Sequence, residues 1–173
     1  TGEAFWADDE LIHKIDSVVR RKTPNMIGGV APDIAKVPTY HEEFASLHAI
    51  DAEYTILVFY EPNCGHCRKT VPKLHTVYKD TLKADDVEVF AVYTQVDKEE
   101  WAEFIEEHDL DDWVNVYDPY GFSNFRNNYD IYSTPVIYIL DKDKKIVAKR
   151  IDVDYITRFI EFDRKRKAKE ANE

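Results

Sequence analysis

The sequence predicts an α/β domain of three layers: a mixed central sheet that ends in an antiparallel hairpin, helices on both faces, and a helical extension at the N-terminus. Three observations carry this prediction. Short apolar runs rich in β-branched and aromatic residues recur at 55–60, 87–93 and 135–140, the pattern of strands buried on both faces. Amphipathic stretches with helical spacing alternate with them. The polar residues Asp141, Lys142, Asp143 and Lys144 separate the last run from residues 145–150, a link short enough to make a hairpin. The chain has 173 residues, 44% of them hydrophobic, which suits one domain with one sizeable core. Residues 1–25 are expected to form the extension and residues 26–173 the domain.

Residues 5–21 read as a helix, because Leu11, Ile12, Ile15, Val18 and Val19 form an apolar stripe. Thr23, Pro24 and Asn25 break it. The stripe needs a cover, so this helix is expected to be the tail of a preceding domain or to pack on the sheet. Residues 28–33 read as an extended lead into the domain. Phe44, Leu47 and His48 place a short helix at 40–48. The strand at 55–60 stops at Glu61, Pro62 and Asn63. A helix over 65–83 follows, carrying Val71, Leu74, Val77, Tyr78 and Leu82. After the strand at 87–93, Trp101, Phe104 and Ile105 mark a helix at 98–108. Residues 114–117 read as a short strand, Asp118, Pro119, Tyr120 and Gly121 as a turn, and 122–129 as another short helix. A helix over 155–167 closes the chain. The strands at 55–60, 87–93 and 135–140 are expected to run parallel, since parallel neighbours need crossover connections.

Charge and composition exclude several classes. A net charge of -11 repels phosphate backbones, so nucleic acid is not an expected partner. The basic run Arg164, Lys165, Arg166, Lys167 and Lys169 reads as the solvated end of the last helix, where cations suit the helix dipole. A membrane span needs roughly 20 apolar residues, and the apolar runs here are far shorter. Thr1 is not an initiator methionine, and no leader is visible, so export stays open.

The sequence contains two cysteines, Cys64 and Cys67, which is no disulfide framework. Cys64-Gly65-His66-Cys67 lies where a buried strand gives way to a helix. The unpaired N–H groups and dipole of a helix start favour an anion, so the Cys64 thiol should ionise easily. The thiolate attacks in disulfide exchange, and a cysteine one turn in can resolve the mixed disulfide. His66 adds a donor, and when protonated a charge, beside the pair. A structural staple explains the spacing poorly, because so small a loop constrains little chain entropy. A structural zinc site wants four ligands, and His13, His41, His48, His75 and His108 form no paired ligand motif. No metal is expected.

These residues, with three further motifs, resemble the thioredoxin-like proteins of bacterial cell envelopes, the TlpA and ResA type of thiol–disulfide oxidoreductase. The resemblance spans residues 26–162. It rests on Gly29-Val30-Ala31-Pro32-Asp33, on Phe59-Tyr60 running into Cys64-Gly65-His66-Cys67, on Pro72 five residues beyond the second cysteine, and on Tyr132-Ser133-Thr134-Pro135 before a strand and hairpin. It implies a thioredoxin-like fold, with Cys64 as nucleophile, Cys67 as resolving thiol, and Gly65 and His66 as the tuning pair. The Gly-His dipeptide matches protein disulfide isomerases. The resemblance also implies a cis bond at Thr134–Pro135 and a substrate chain paired along Thr134, with Pro135, Tyr60 and Asn63 beside it.

Departures from the family pattern affect proton transfer. Asn63 stands where many relatives have Trp. Val58 occupies the place of the buried Asp of thioredoxins, and Thr70 that of a Glu in some envelope relatives. Glu61 is then the nearest acid in sequence and the candidate acceptor for the Cys67 proton. The implied partners are protein thiols or disulfides and a redox-partner protein, with no cofactor beyond the chain's own disulfide, in the periplasm or cell envelope. Two rival readings are an inactive thioredoxin-like binding module and a peroxide reductase on a related fold. The second lacks its Pro-x-x-x-Thr-x-x-Cys loop here.

Overall fold

A computed structural model describes residues 9–171. Its centre is a five-stranded sheet in the order β5-β4-β3-β6-β7. The strands are β3 (Tyr54–Tyr60), β4 (Val87–Tyr93), β5 (Val114–Tyr117), β6 (Val136–Asp141) and β7 (Ile146–Lys149). All seven residues of β3 are buried, as its uninterrupted apolar run requires of a central strand. Tyr54, Ile56, Val58 and Tyr60 face one core, and Leu57 and Phe59 the other. The first core lies under α2 (Cys67–Val77), α3 (Lys98–Glu107) and α5 (Val153–Glu170). The second is covered by the N-terminal segment around Ala31, Ile34 and Leu47 and by the short α4 (Phe125–Asn128).

β3 pairs parallel with β4, and β4 with β5. The expectation for the strand near 135–140 is corrected: β6 runs antiparallel to β3, with Phe59 opposite Val136 and Tyr54 opposite Asp141. The reason is where the preceding segment goes. β5 leaves the sheet with Tyr117 level with Tyr93 and Tyr60. Residues 118–135 stay at that end, with a helix of four residues, so the next strand enters where the last one left. The expected helix at 122–129 shrinks to α4 because the Asp118 carboxylate holds a turn, accepting from the N–H groups of Phe122 and Ser123 and from the Ser123 hydroxyl.

The expected helix at 40–48 is also corrected. β1 (Val37–Pro38) and β2 (Phe44–Ala45) form a two-stranded antiparallel ribbon, followed by one 3-10 turn at Leu47–Ala49. Glu42 sits at φ 64°, which a right-handed helix does not accommodate, and Phe44 points to solvent.

The N-terminal helix is α1 (Asp9–Lys22); residues 5–8 of its expected span lie outside the described residues. It does not pack on the sheet: Leu11, Ile12, Ile15, Val18 and Val19 all stay exposed. Its junction with the domain is tied down, since the buried Asn25 side chain donates to the Asn128 carbonyl and the Lys149 ammonium donates to Asn25.

The basic end of α5 is more than a solvated face. Arg164 bridges Glu53 and Asp85. Asp163, 2% exposed, accepts from the Tyr54 hydroxyl at 2.9 Å and pairs with Arg166 and Lys167. Lys167 also reaches Asp141 at the end of β6. These bonds fasten the last helix to the sheet. Among the described residues, no helix is long and apolar enough to cross a membrane.

Candidate active site

The cysteine pair lies at the sheet end where β3 stops. Glu61, Pro62 and Asn63 turn the chain, and the Arg68 N–H already donates to the Cys64 carbonyl at 3.1 Å, so Cys64 stands at the mouth of α2. Cys67 is the first residue of that helix. It is fully buried, whereas Cys64 is half-buried and Gly65 and His66 are exposed. Both thiols are free. Pro72 lies within α2, where it has no N–H to continue the ladder.

Opposite the sulfurs, the segment before β6 brings in Thr134 and Pro135, joined by a cis peptide bond. The Cys64 thiol donates to the Thr134 carbonyl, 3.2 Å from Sγ. Asn63 is exposed beside the pair, and Thr134 and Pro135 are half-buried.

The two thiols titrate in opposite directions. Partial burial pushes Cys64 up, but the main-chain N–H of Cys67, the Cys67 thiol, the Thr134 side chain and the His66 N–H outweigh it, and its pKa falls below the ordinary cysteine value. Helix-start N–H groups supply part of that stabilisation, as the motif predicts. Burial dominates at Cys67 and pushes it up to about 12, against the opposing effect of the Glu61 main-chain N–H. Cys64 is the readily ionised member of the pair, and Cys67 is held protonated by its burial.

The expected role of Tyr60 as a substrate contact is corrected. Its side chain is fully buried, and its hydroxyl accepts from the Trp101 indole N–H at 2.9 Å. Withdrawing it would forfeit roughly 1.5–3 kcal/mol of burial and orphan the indole, so Tyr60 is a core residue supporting the pair from below. Val58 shares that core with Cys67, so the buried acid of thioredoxins is replaced here by an aliphatic side chain. Glu61 meets Cys67 through its main chain, while its carboxylate accepts from the Thr94 hydroxyl at 2.7 Å.

Thr94 is a neighbour of the candidate site, through Glu61, that sequence reasoning missed. The signal was present: with 55–60 and 87–93 paired in parallel, Glu61 and Thr94 both follow directly on strand ends that lie side by side. Arg150 was missed as well, since nothing local in a strand end marks it as a neighbour of Pro135.

The profile of the thioredoxin-like family matches residues 51–146, a span that holds both cysteines, Thr134 and Pro135. The chain belongs to the thioredoxin-like family. Among solved structures, it is similar to a domain of a possible thiol-disulfide isomerase from Cytophaga hutchinsonii, with 34% identity over 84% of this chain and 98% of that one and a TM-score of 0.76. It is similar too to the thioredoxin domain of a thiol-disulfide oxidoreductase from Bacteroides vulgatus, with 28% identity, coverage of 79% and 96%, and a TM-score of 0.71. A thioredoxin-like protein from Bacteroides caccae shares the fold at 20% identity and a TM-score of 0.80; the match covers 93% of this chain but 58% of that longer one. No curated protein matches the sequence. The thioredoxin-like assignment agrees with the observed mixed sheet and terminal hairpin.

Proposed function

We propose that this thioredoxin-like protein exchanges dithiols and disulfides with protein cysteines in a bacterial cell envelope, in the manner of the TlpA and ResA type. The supporting observation is the asymmetry of the pair: a partly exposed Cys64 that ionises easily beside a buried, protonated Cys67. The Cys64 thiolate attacks one sulfur of a substrate disulfide. The substrate S–S bond breaks, a Cys64–substrate mixed disulfide forms, and the departing substrate sulfur leaves as a thiolate that takes a proton. Cys67 then loses its proton and attacks the Cys64 sulfur. The enzyme disulfide forms, the second substrate thiolate departs, and two electrons have passed to the substrate. The same steps reversed oxidise a client dithiol. The equilibrium reduction potential of the pair against the envelope poise sets which direction prevails. Asn63, Thr134 and Pro135 border the sulfur and would meet the substrate chain.

In Cys67→Ser the first attack proceeds and the second cannot. A Cys64–substrate mixed disulfide should therefore accumulate, visible by mass spectrometry as one substrate adduct per chain that reductant removes. Failure of the adduct to form contradicts the mechanism.

Glu61 is the proposed acceptor of the Cys67 proton, its carboxylate oriented by Thr94. Glu61→Gln should slow release of the second substrate thiolate about 100-fold, the lower range for general-base assistance, while formation of the mixed disulfide keeps its rate. Stopped-flow measurement of both phases separates the steps; an unchanged second phase removes Glu61 from the mechanism.

A further inference from the structure

A cleft of about 220 Å³ opens beside the cysteine pair. Its walls include Thr70 from α2, Pro135 and Ile137 at the start of β6, and Arg150, Ile151 and Asp152 between β7 and α5. Pro135 follows the residue whose carbonyl accepts from Cys64, and Thr70 lies one turn beyond Cys67. A substrate chain held against Cys64 would place the residues flanking its own cysteine over this cleft.

Arg150 is unusual there in two ways. Its backbone is left-handed, at φ 55°, a conformation that glycine adopts without cost and a long side chain does not. Its guanidinium is also lightly used: among the described residues it makes one hydrogen bond, from Nη2 to the Asp130 carbonyl at 2.7 Å, and no salt bridge. Asp152 is committed to the start of α5, where its carboxylate accepts from the Asp154 N–H at 3.0 Å, and Asp154 pairs with Lys73. An exposed guanidinium that uses one of its five N–H donors thus stands at the cleft mouth of a chain whose net charge is -11.

We propose that Arg150 is a specificity-determining residue that selects client cysteines with a neighbouring Asp or Glu, by a charge-assisted hydrogen bond from its guanidinium to the client carboxylate. The proposal rests on the exchange reaction described above. The overall acidity of the protein disfavours acidic partners at long range, and this contact readmits those whose carboxylate lies beside the cysteine to be exchanged.

The test uses the full chain and disulfide-linked peptides that differ in one residue, Glu, Gln or Lys, placed in turn at each position flanking the cysteine. At low ionic strength, and at one of those positions, kcat/KM for the Glu peptide should exceed that for the Lys peptide about fivefold, the scale of one exposed charge contact. The difference should lie in KM and shrink as salt is added. In Arg150→Gln and Arg150→Gly the Glu-to-Lys ratio should fall to near one; the glycine variant suits the left-handed backbone and guards against misfolding. An equal ratio in parent and variants, or no ratio in the parent at any position, overturns the assignment. Failure of the parent to reduce any of the peptides, the Gln peptides included, instead overturns the exchange reaction itself, and the assignment with it.

Discussion

Cys64→Ser should abolish reduction of insulin or of a model disulfide peptide, lowering the rate at least about 1000-fold, as removal of an essential nucleophile does. A serine hydroxyl is not ionised where a helix-start thiol is, and it forms no disulfide. The loss should be accompanied by a spectroscopic change. In the reduced parent, thiolate absorbance should rise through a step below the ordinary cysteine value, and the reaction rate should climb through the same pH window, since ionised Cys64 is the proposed attacking species. A second step belongs to Cys67 near 12. Cys64→Ser should delete the first step and retain a high-pH step. An ordinary Cys64 titration with full turnover in the serine variant would rule out the proposed chemistry and favour an inactive binding module.

The largest effect on stability is expected at Asp163, far from the sulfurs. Its carboxylate is buried at the join of α5 and the sheet, where it serves Tyr54, Arg166 and Lys167 together. Asp163→Ala leaves the Tyr54 hydroxyl without its acceptor inside the core, at a cost of about 1–3 kcal/mol. Loss of the ion pairs adds less, because both cations are more than a third exposed and solvent screens them. The expected destabilisation is about 2–4 kcal/mol by denaturant titration, with Asp163→Asn at the lower end because the amide oxygen still accepts. Stability should also respond to acid. Burial raises the Asp163 pKa, but Arg166, Lys167 and Tyr54 outweigh it, and the net shift is downward. The ionised group binds its partners in the folded state alone, so its contribution is complete above the unfolded carboxyl value of ~3.9 and is lost as pH falls through the lower folded value. The parent should lose stability below about pH 4 more steeply than Asp163→Ala. Parallel acid profiles, or a change below about 0.5 kcal/mol, would show that this carboxylate does not hold the helix.

Particular residues show which features were legible in the chain. The strands at 87–93 and 114–117 occur at the expected residues, and the one expected at 55–60 gains Tyr54, because a buried strand writes its own apolar run. The helix carrying Trp101, Phe104 and Ile105 declares itself by spacing; its cap became visible only in the structure, where the Asp97 carboxylate accepts from the Glu100 N–H. The same spacing misled at Phe44, Leu47 and His48, where a positive φ at Glu42 diverts the chain into a ribbon.

The chain by itself determined the strand–helix alternation and the two cysteines at a helix mouth on which the proposed redox chemistry rests, since these depend on residues close together in sequence. The fold decided the rest. It set the direction of β6, placed Thr134 against Cys64 across seventy positions, buried Tyr60 under Trp101, paired Glu61 with Thr94, and carried Arg150 to the cleft. Each of these is a contact between segments far apart in the chain, and such contacts are chosen by whichever packing closes both cores at once, which no local pattern encodes.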